Sequence, residues 1–310
     1  MVIEDLDKFR NGGGYIVLDN IPNPKIVLEK RGTRPKKWFV FENGKVLFKE
    51  ALASSYIDYA QLFFEEFAKQ SGLEVAHYDL AIYQGKKGVV SPDFLKENER
   101  LISFELFLKM GAMVAKETNA NIKFNNTIED IIKALSIQGF EDETLEKVLA
   151  LLIQICLLDG LILETDRNST NLSLLVKKNK VEMSPFYDGS NSFGLNRSVS
   201  DIQSKVKNIR DVGTIHSIIM SAKRGLPLNN LTSDMTYMEE VEKLLALFPE
   251  ITSAFIPVLL NINFDEALKN IEEKIGAEVP FECSIWVDKI LKYNKENLKY
   301  VYDESFKKQK

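Results

Sequence analysis

The first 95 residues alternate between short apolar runs and turn signals, a pattern typical of a sheet. β-rich runs lie at residues 15–18, 25–28, 38–42, 45–49, 78–83 and 88–91. Asn43-Gly44 separates two of them and predicts a two-residue hairpin. One helical pattern interrupts the strands at residues 56–70, and Gly72 is its predicted C-terminal stop.

Beyond residue 95 the apolar spacing becomes helical. The predicted helices cover residues 103–116, 127–135, 141–158, 201–209, 216–222, 238–247, 264–275 and 282–308. Thr127 and Asp130 have the spacing of a capping box, with Thr127 as the N-cap. The whole pattern predicts an α+β fold with two lobes, a β-rich N-lobe at residues 1–95 and a mainly helical C-lobe at residues 96–310.

Composition narrows the class of protein. With 310 residues, 45% hydrophobic and 27% charged, the chain is typical of a soluble globular protein. A net charge of −5 argues against a dedicated nucleic-acid binder. The only two cysteines are Cys156 and Cys283, and the apolar neighbours of Cys156 favour a buried free thiol in a reducing, cytoplasmic setting. Residues 1–10 are charged, so no signal peptide is predicted, and the apolar run at 148–163 is too short and too polar for a membrane span.

An acid–amide–acid pattern in the predicted C-lobe carries candidate chemistry. Asp166 and Asn171 are five residues apart, and Asp188 follows seventeen residues after Asn171. A short apolar run and a Lys/Asn turn fill the gap, which predicts a hairpin between two acidic loops. This arrangement suits phosphotransfer, in which one carboxylate accepts the proton of the attacking hydroxyl while an amide and a second carboxylate hold magnesium against ATP.

The N-lobe offers residues for the nucleotide phosphates. Lys49 ends the strand after the hairpin, the position from which a kinase lysine contacts the α- and β-phosphates; on spacing alone it is equally well a solvated edge lysine. Before the hairpin, Gly32 and Thr33 lie in a basic segment at residues 31–37 whose N–H groups, hydroxyl and basic side chains could hold anionic oxygens. The run Gly12–Gly14 precedes the first strand and is interpreted as a flexible entry to the fold.

Residues 158–171 (LDGLILETDRNSTN) and 183–188 (MSPFYD) together resemble the HipA-like serine/threonine kinases. The helix exit at Gly72-Leu73-Glu74-Val75 and the segment at 88–94, which falls at that family's interlobe hinge, extend the resemblance over most of residues 30–195. The family implies a bilobal protein-kinase-like fold and an ATP- and magnesium-dependent protein serine/threonine kinase.

Carried over to this sequence, the resemblance implies specific roles. Asp166 is the catalytic base, Asn171 and Asp188 are the magnesium ligands, and Lys49 is the phosphate lysine. Adenine would be lined by Ser91, Asp93 and Phe94. The implied partners are a protein substrate bearing Ser or Thr and an antitoxin-like regulatory protein, with no direct contact to nucleic acid or membrane.

The family also implies autophosphorylation of its phosphate-binding loop. The only hydroxyl in this chain's loop is on Thr33, which is therefore the candidate site, with Ser54 and Ser55 as the fallback.

Three positions depart from the family pattern. Asn168 stands where His is usual, and Thr170 replaces a Lys, so the charge that steadies the γ-phosphate is either absent or supplied by Arg167. Gln61 stands where a Glu should pair with Lys49; Glu65, four residues on, could substitute. The Gln61 departure leaves open a pseudokinase that only binds. The Asp/Asn/Asp set, which aminoglycoside and lipid kinases share, leaves open a kinase acting on a small-molecule hydroxyl.

Overall fold

The computed structural model describes residues 3–29, 34–42, 44–117, 122–178, 180–207, 212–222 and 235–307. In chain order its strands are β1 (Ile16–Val17), β2 (Lys25–Glu29), β3 (Lys36–Phe41), β4 (Gly44–Glu50), β5 (Asp79–Tyr83), β6 (Lys86–Pro92), β7 (Arg100–Ser103), β8 (Ser173–Lys177) and β9 (Lys180–Met183). Its helices are α1 (Ile57–Gln70), α2 (Phe104–Glu117), α3 (Ile128–Ile137), α4 (Asp142–Leu161), α5 (Val199–Lys207), α6 (Val212–Ser221), α7 (Tyr237–Leu247), α8 (Pro249–Leu260), α9 (Phe264–Ile275) and α10 (Phe281–Lys307). The predicted α+β class is confirmed.

The chain divides into two compact units. The first comprises Met1–Phe94, Asp188–Ile215 and Ile262–Leu291, and the second comprises Leu95–Tyr187, His216–Asn261 and Lys292–Lys310. Residues 188–215 and 262–291, which the sequence pattern assigns to the C-lobe, therefore belong to the first unit. The functional division into lobes at residue 95 stays a prediction.

The first unit contains a six-stranded sheet in the order β1-β5-β6-β4-β3-β2. Only β1 and β5 run parallel; the other neighbours are antiparallel. One face of the sheet is apolar and buried, with Phe39, Val46, Phe48 and Val90 in a core that Leu6 and its neighbours complete. On the other face Lys36 of β3 lies directly opposite Lys49 of β4. Side chains alternate between the faces of a strand, so burying the first set projects these lysines to the opposite side.

Helix α1 is buried along nearly its whole length, and its polar residues are buried together with its apolar ones. Phe63 stacks on Phe67 and on Phe264 of α9, with ring centroids 5.9 and 6.0 Å apart. Phe67 in turn meets the edge of Phe193 at 5.7 Å. Gly72 follows the helix with a φ of 74°, which only glycine adopts freely, so the predicted helix stop is confirmed.

The second unit is built around α4, whose C-terminal half is buried. Tyr237 of α7 donates a hydrogen bond to the carbonyl of Leu157 at 3.0 Å, which fastens a neighbouring helix to α4. Cys156 is a buried free thiol, as its apolar neighbours predicted. A three-stranded antiparallel sheet, β7-β8-β9, completes the unit. Over the described residues, no helix has the length and apolar character needed to cross a membrane.

The structure differs from the predicted helices in two details. The Thr127 hydroxyl accepts from the Asp130 N–H at 3.1 Å, so the N-cap is confirmed, but the Asp130 carboxylate accepts from the Asn125 N–H at 2.6 Å instead of returning to Thr127. The apolar stretch that forms α8 was not predicted as a helix. It begins with Pro249 in the first turn and contains Pro257, and it follows α7 with no polar break between them.

Close packing of α2 on α3 requires glycine at position 111. A Cβ there would lie 2.9 Å from the Ala134 Cβ and 3.1 Å from its Cα. We expect Gly111→Val to lower the free energy of unfolding by about 1–3 kcal/mol, the usual cost of overpacking a core. Gly12→Val is the matched control, since no atom lies within 4 Å of a Cβ at Gly12. Urea unfolding of both variants measures the difference, and equal losses would contradict the packing role of Gly111.

Candidate active site

The loop that follows α4 is anchored by Arg167. Its guanidinium donates to both oxygens of Asp159, at 2.8 and 3.1 Å, and to the carbonyl of Tyr187 at 2.6 Å. Arg167 and Asp159 are both almost completely buried. A buried guanidinium needs such bidentate compensation, and removing either partner would leave an unpaired buried charge. The hypothesis that Arg167 supplies the missing phosphate charge is therefore wrong: its charge is committed to holding this loop.

Asp166 is held by its backbone and leaves its carboxylate exposed. Its N–H donates to Glu164 at 2.8 Å, and its carbonyl accepts from the side-chain amides of Asn171 and Asn168 at 2.7 and 3.1 Å. Asn168 also accepts the Thr170 N–H at 2.9 Å. The predicted catalytic base, Asp166, and the predicted amide ligand, Asn171, thus lie together. Asn168, which stands where His is usual in the family, connects Asp166 to Thr170 through its side-chain amide.

The predicted hairpin carries the chain from Asn171 to the second acid. Strands β8 and β9 pair from Leu174 with Met183 to Lys177 with Lys180, where the sequence predicts the turn. At the open end the hydroxyls of Ser173 and Tyr187 are 2.8 Å apart. This contact fixes the residue that precedes Asp188 in the chain.

Asp188 and Gly189 are shaped by groups from the first unit. Asp188 has a φ of 60°, a left-handed conformation that Asp and Asn adopt more readily than most residues. Its N–H donates to the Tyr78 hydroxyl at 2.9 Å, and the Gly189 N–H donates to the Gln61 side-chain oxygen at 3.1 Å. A Cβ on Gly189 would lie 2.1 Å from the Phe64 ring, so only glycine fits.

A cluster of cations surrounds the Asp188 carboxylate. Lys49 pairs with one oxygen, Lys36 lies 4.0 Å from the other, and the Ser190 hydroxyl donates to the first at 3.0 Å. Arg34 donates to Ser190 at 2.9 Å. Because like charges directly opposite on neighbouring strands repel, the Lys36–Lys49 pair depends on this carboxylate.

The pKa values of Lys49 and Asp188 are shifted by burial and by the neighbouring charges. Burial, with the neighbouring charges of Lys36 and Arg34, lowers the pKa of Lys49 to about 8, although Asp188 opposes the change. Burial alone would raise the pKa of Asp188, but the charges of Lys49 and Lys36 outweigh it and hold that pKa well below its ordinary value. At pH 7, which is below the pKa of Lys49 and above that of Asp188, the ionised form of the pair predominates.

Neither predicted helix partner of Lys49 pairs with it. Gln61 is buried, its oxygen is used by Gly189, and its amide nitrogen has no hydrogen-bond partner. The hypothesis that Glu65 substitutes is wrong, because both its oxygens are occupied by His77, Lys69, Lys274 and the Tyr78 N–H. Sequence analysis could not predict this arrangement, because helical spacing shows which residues share a face of α1 but not which distant residues each of them contacts.

The residues expected at the adenine lie at the end of β6. Ser91 is buried opposite Leu47, on the same face of the sheet as Lys49. Asp93 pairs with Lys45 at 3.0 Å, and Phe94 is half-buried. Gly32 and Thr33 lie outside the described residues, so their predicted contact with phosphates stays a prediction.

Two groups of site residues are thus assembled, each within its own compact unit. Lys49, Ser91, Asp93, Phe94 and Asp188 belong to the first unit, and Asp166 and Asn171 belong to the second. Sequence reasoning placed Arg34 and Lys36 in the basic segment at residues 31–37 but did not connect Lys36 with Lys49, and it missed Tyr78 and Ser190. The register of β3 on β4, which places Lys36 opposite Lys49, is the signal that could have shown this connection.

The fold that carries these groups is that of the HipA-like kinases. The crystal structure of the Helicobacter pylori proinflammatory kinase CtkA matches over 92% of this chain and 96% of its own, with a TM-score of 0.69 and 14% identity. HipA from the Shewanella oneidensis MR-1 toxin–antitoxin complex with HipB and operator DNA matches over 92% of this chain and 69% of its own, with a TM-score of 0.55 and 14% identity. Neither protein-family models nor curated protein sequences give a match. The resemblance inferred from the motifs is confirmed at the level of the fold.

The buried carboxylate of Glu65 predicts a pH-dependent stability. Burial favours its protonated form, but the hydrogen bond from His77 and the charges of Lys274 and Lys69 outweigh this and lower the pKa of Glu65 to about 2. A carboxylate with a lowered pKa stabilises the fold above its unfolded pKa of 4.5 and loses that contribution as the pH falls from 4.5 towards 2. The shift corresponds to stabilisation on the order of 3 kcal/mol.

We therefore expect Glu65→Gln to be strongly destabilised relative to wild type at pH 7, with a difference that shrinks as the pH falls below 4.5. Urea unfolding across this pH range measures the difference. Glu143→Gln, which alters an exposed ion pair with Lys147 on α4, is the control and should change little. A Glu65→Gln difference that is constant across the range would show that Glu65 is not ionised by these partners.

Proposed function

We propose that this protein is an ATP-dependent protein serine/threonine kinase of the HipA-like type. Asp166 would be the catalytic base, and Asn171 and Asp188 would hold the magnesium ion. The observation that carries the proposal is that Lys36 and Lys49 lie against the single carboxylate of Asp188, which Arg34 approaches through Ser190.

The residues present fit a magnesium nucleotide. Lys36 and Lys49 share the one carboxylate of Asp188, and Lys49 is desolvated, so phosphate oxygens would provide these ammonium groups with further acceptors. The Asn171 amide oxygen and the Asp188 carboxylate are the hard oxygen ligands that magnesium prefers. Bound Mg-ATP would supply the phosphoryl group to be transferred and neutralise the charge that develops on it.

Each residue then has a separate task. Lys49 and Lys36 bind phosphate oxygens as fixed positive charges, and Ser91, Asp93 and Phe94 line the adenine. The exposed Asp166 carboxylate accepts the proton of the attacking Ser or Thr hydroxyl, which requires access to solvent and to a protein chain. The amides of Asn168 and Asn171 keep the Asp166 loop in place while the proton moves.

Protein partners and setting are part of the same proposal. HipA is found in a complex with HipB and operator DNA, and by analogy we propose a regulatory, antitoxin-like protein partner for this chain. The buried free thiols of Cys156 and Cys283 support a cytoplasmic setting. Autophosphorylation at Thr33, with Ser54 and Ser55 as alternatives, is proposed as the means of restraint.

Loss of the base and loss of the metal ligand should have different effects. We expect Asp166→Ala to lower phosphate transfer to lysate proteins by roughly 10²–10⁴ while Mg-ATP still binds, because only proton transfer is removed. Asp188→Asn keeps a residue that tolerates positive φ but weakens Mg-ATP binding, because it removes a charged ligand. Transfer of labelled phosphate and calorimetric titration measure the two effects.

Three outcomes would contradict the assignment. Unchanged transfer in Asp166→Ala would remove Asp166 as the base. Normal Mg-ATP binding by Asp188→Asn would place the metal elsewhere. A wild type that binds ATP and labels no protein would be a binding module, or, if a small hydroxyl compound is labelled instead, a small-molecule kinase.

Substitution of Gln61 tests whether Mg-ATP binding is limited by the lack of a carboxylate on α1 beside Lys49. Gln61→Glu keeps the acceptor for the Gly189 N–H and replaces an unpartnered amide nitrogen with a carboxylate oxygen, beside a small cavity that Lys49 and Arg34 also line. We expect Mg-ATP affinity to rise about tenfold, the effect of one charge-assisted hydrogen bond. Gln61→Leu, which removes the acceptor, is the matched control and should lower affinity. Equal affinities in the three proteins would mean that α1 does not influence the nucleotide site.

A further inference from the structure

The outer edge of the six-stranded sheet is apolar and exposed. Strand β2 is the last strand of the sheet, with β3 as its sole neighbour among the described residues. Its three central residues, Ile26, Val27 and Leu28, are 42%, 41% and 66% exposed. An edge strand presents unpaired N–H and C=O groups, and when its side chains are also apolar it is a template for another strand.

The order of residues in β2 indicates which strand fits. Lys25 precedes the three apolar residues and Glu29 follows them. If a second β2 lies antiparallel with its centre at Val27, Lys25 of each copy faces Glu29 of the other, and Ile26 faces Leu28. Opposite charges and apolar pairs at directly opposed positions both stabilise an antiparallel ladder. A parallel second copy in the same register would bring like charges side by side.

This register does not depend on which backbone groups point outward. Opposed residues in an antiparallel ladder alternate between hydrogen-bonded and non-hydrogen-bonded pairs. A two-fold axis through the Val27–Val27 pair is compatible with either kind. The five-residue strand is therefore self-complementary in charge and in hydrophobicity for either arrangement of its outer hydrogen bonds.

We propose that β2 is a self-association surface, which pairs antiparallel with β2 of a second copy of this chain around a two-fold axis. The two six-stranded sheets then form one continuous sheet of twelve strands. Such a closed two-fold contact uses the same patch on both copies and removes two exposed edges at once. The proposal is independent of the enzymatic function proposed above.

The expected strength of the dimer is limited by its size. Five residues from each copy bury less surface than the roughly 1,200–2,000 Å² of a stable interface. The dimer is therefore weak and depends on concentration. The competing explanation is that Lys25 and Glu29 only protect a monomeric edge, or leave it for a strand of another protein.

Sedimentation velocity from about 1 µM to about 200 µM tests the proposal, because a weak dimer with a micromolar dissociation constant is populated across this range. We expect the 35.3 kDa chain to shift towards twice its mass as the concentration rises. Lys25→Glu and Glu29→Lys each place like charges opposite one another and should weaken the dimer about tenfold. Lys147→Glu, which makes the same charge change on the exposed face of α4, should leave it unchanged.

Mixing the two variants is the decisive arm. In the mixture, a Lys25→Glu chain and a Glu29→Lys chain have opposite charges at both ends of the paired strands, so they should form a heterodimer about as stable as the wild-type dimer. Urea unfolding of each variant alone confirms that it is folded, which matters for Glu29→Lys because Glu29 accepts a hydrogen bond from Trp38 at 3.1 Å. A wild type that stays monomeric throughout, or a mixture that associates no better than either variant alone, would overturn the proposal.

Discussion

The ionised carboxylate of Asp188 is the constraint around which the first unit is organised. Lys36 and Lys49 face each other across β3 and β4, and two ammonium groups in a desolvated position repel unless an anion lies between them. Asp188 is that anion. Its backbone is set by Tyr78 and the following Gly189 by Gln61, so the sheet, α1 and the segment after β9 all converge on one acid.

Two buried polar residues of helix α1, Gln61 and Glu65, have different partners. Gln61 faces the Asp188 loop and contributes only a neutral acceptor, whereas Glu65, one turn later, is enclosed by His77, Lys69 and Lys274. The negative charge of Glu65 is balanced by its cationic partners, whereas Gln61 carries no charge. Lys49, the predicted phosphate lysine, therefore relies on Asp188 for a counter-charge.

The second unit holds its predicted site residues, Asp166 and Asn171, by a different arrangement. A buried ion pair between Arg167 and Asp159 fixes the loop, and side-chain amides hold the backbone of Asp166, so that its carboxylate is left exposed. Rigid support for the backbone and freedom for the reactive oxygen atoms are what a proton acceptor requires. In the sequence, Arg167 is a candidate to bind phosphate, but in the structure it is buried and its charge is paired with Asp159.

The sequence by itself determined the α+β class, the positions of most helices and strands, the hairpin between Asn171 and Asp188, and the resemblance to HipA-like kinases. These follow from local signals: apolar spacing, turn residues and the intervals between acids and amides. Only the tertiary structure decided that Arg167 is structural, that Glu65 does not replace Gln61, and that Lys36 joins Lys49. Burial and strand register arise from contacts between residues far apart in the chain, and the charge of a side chain does not reveal which distant partner will neutralise it.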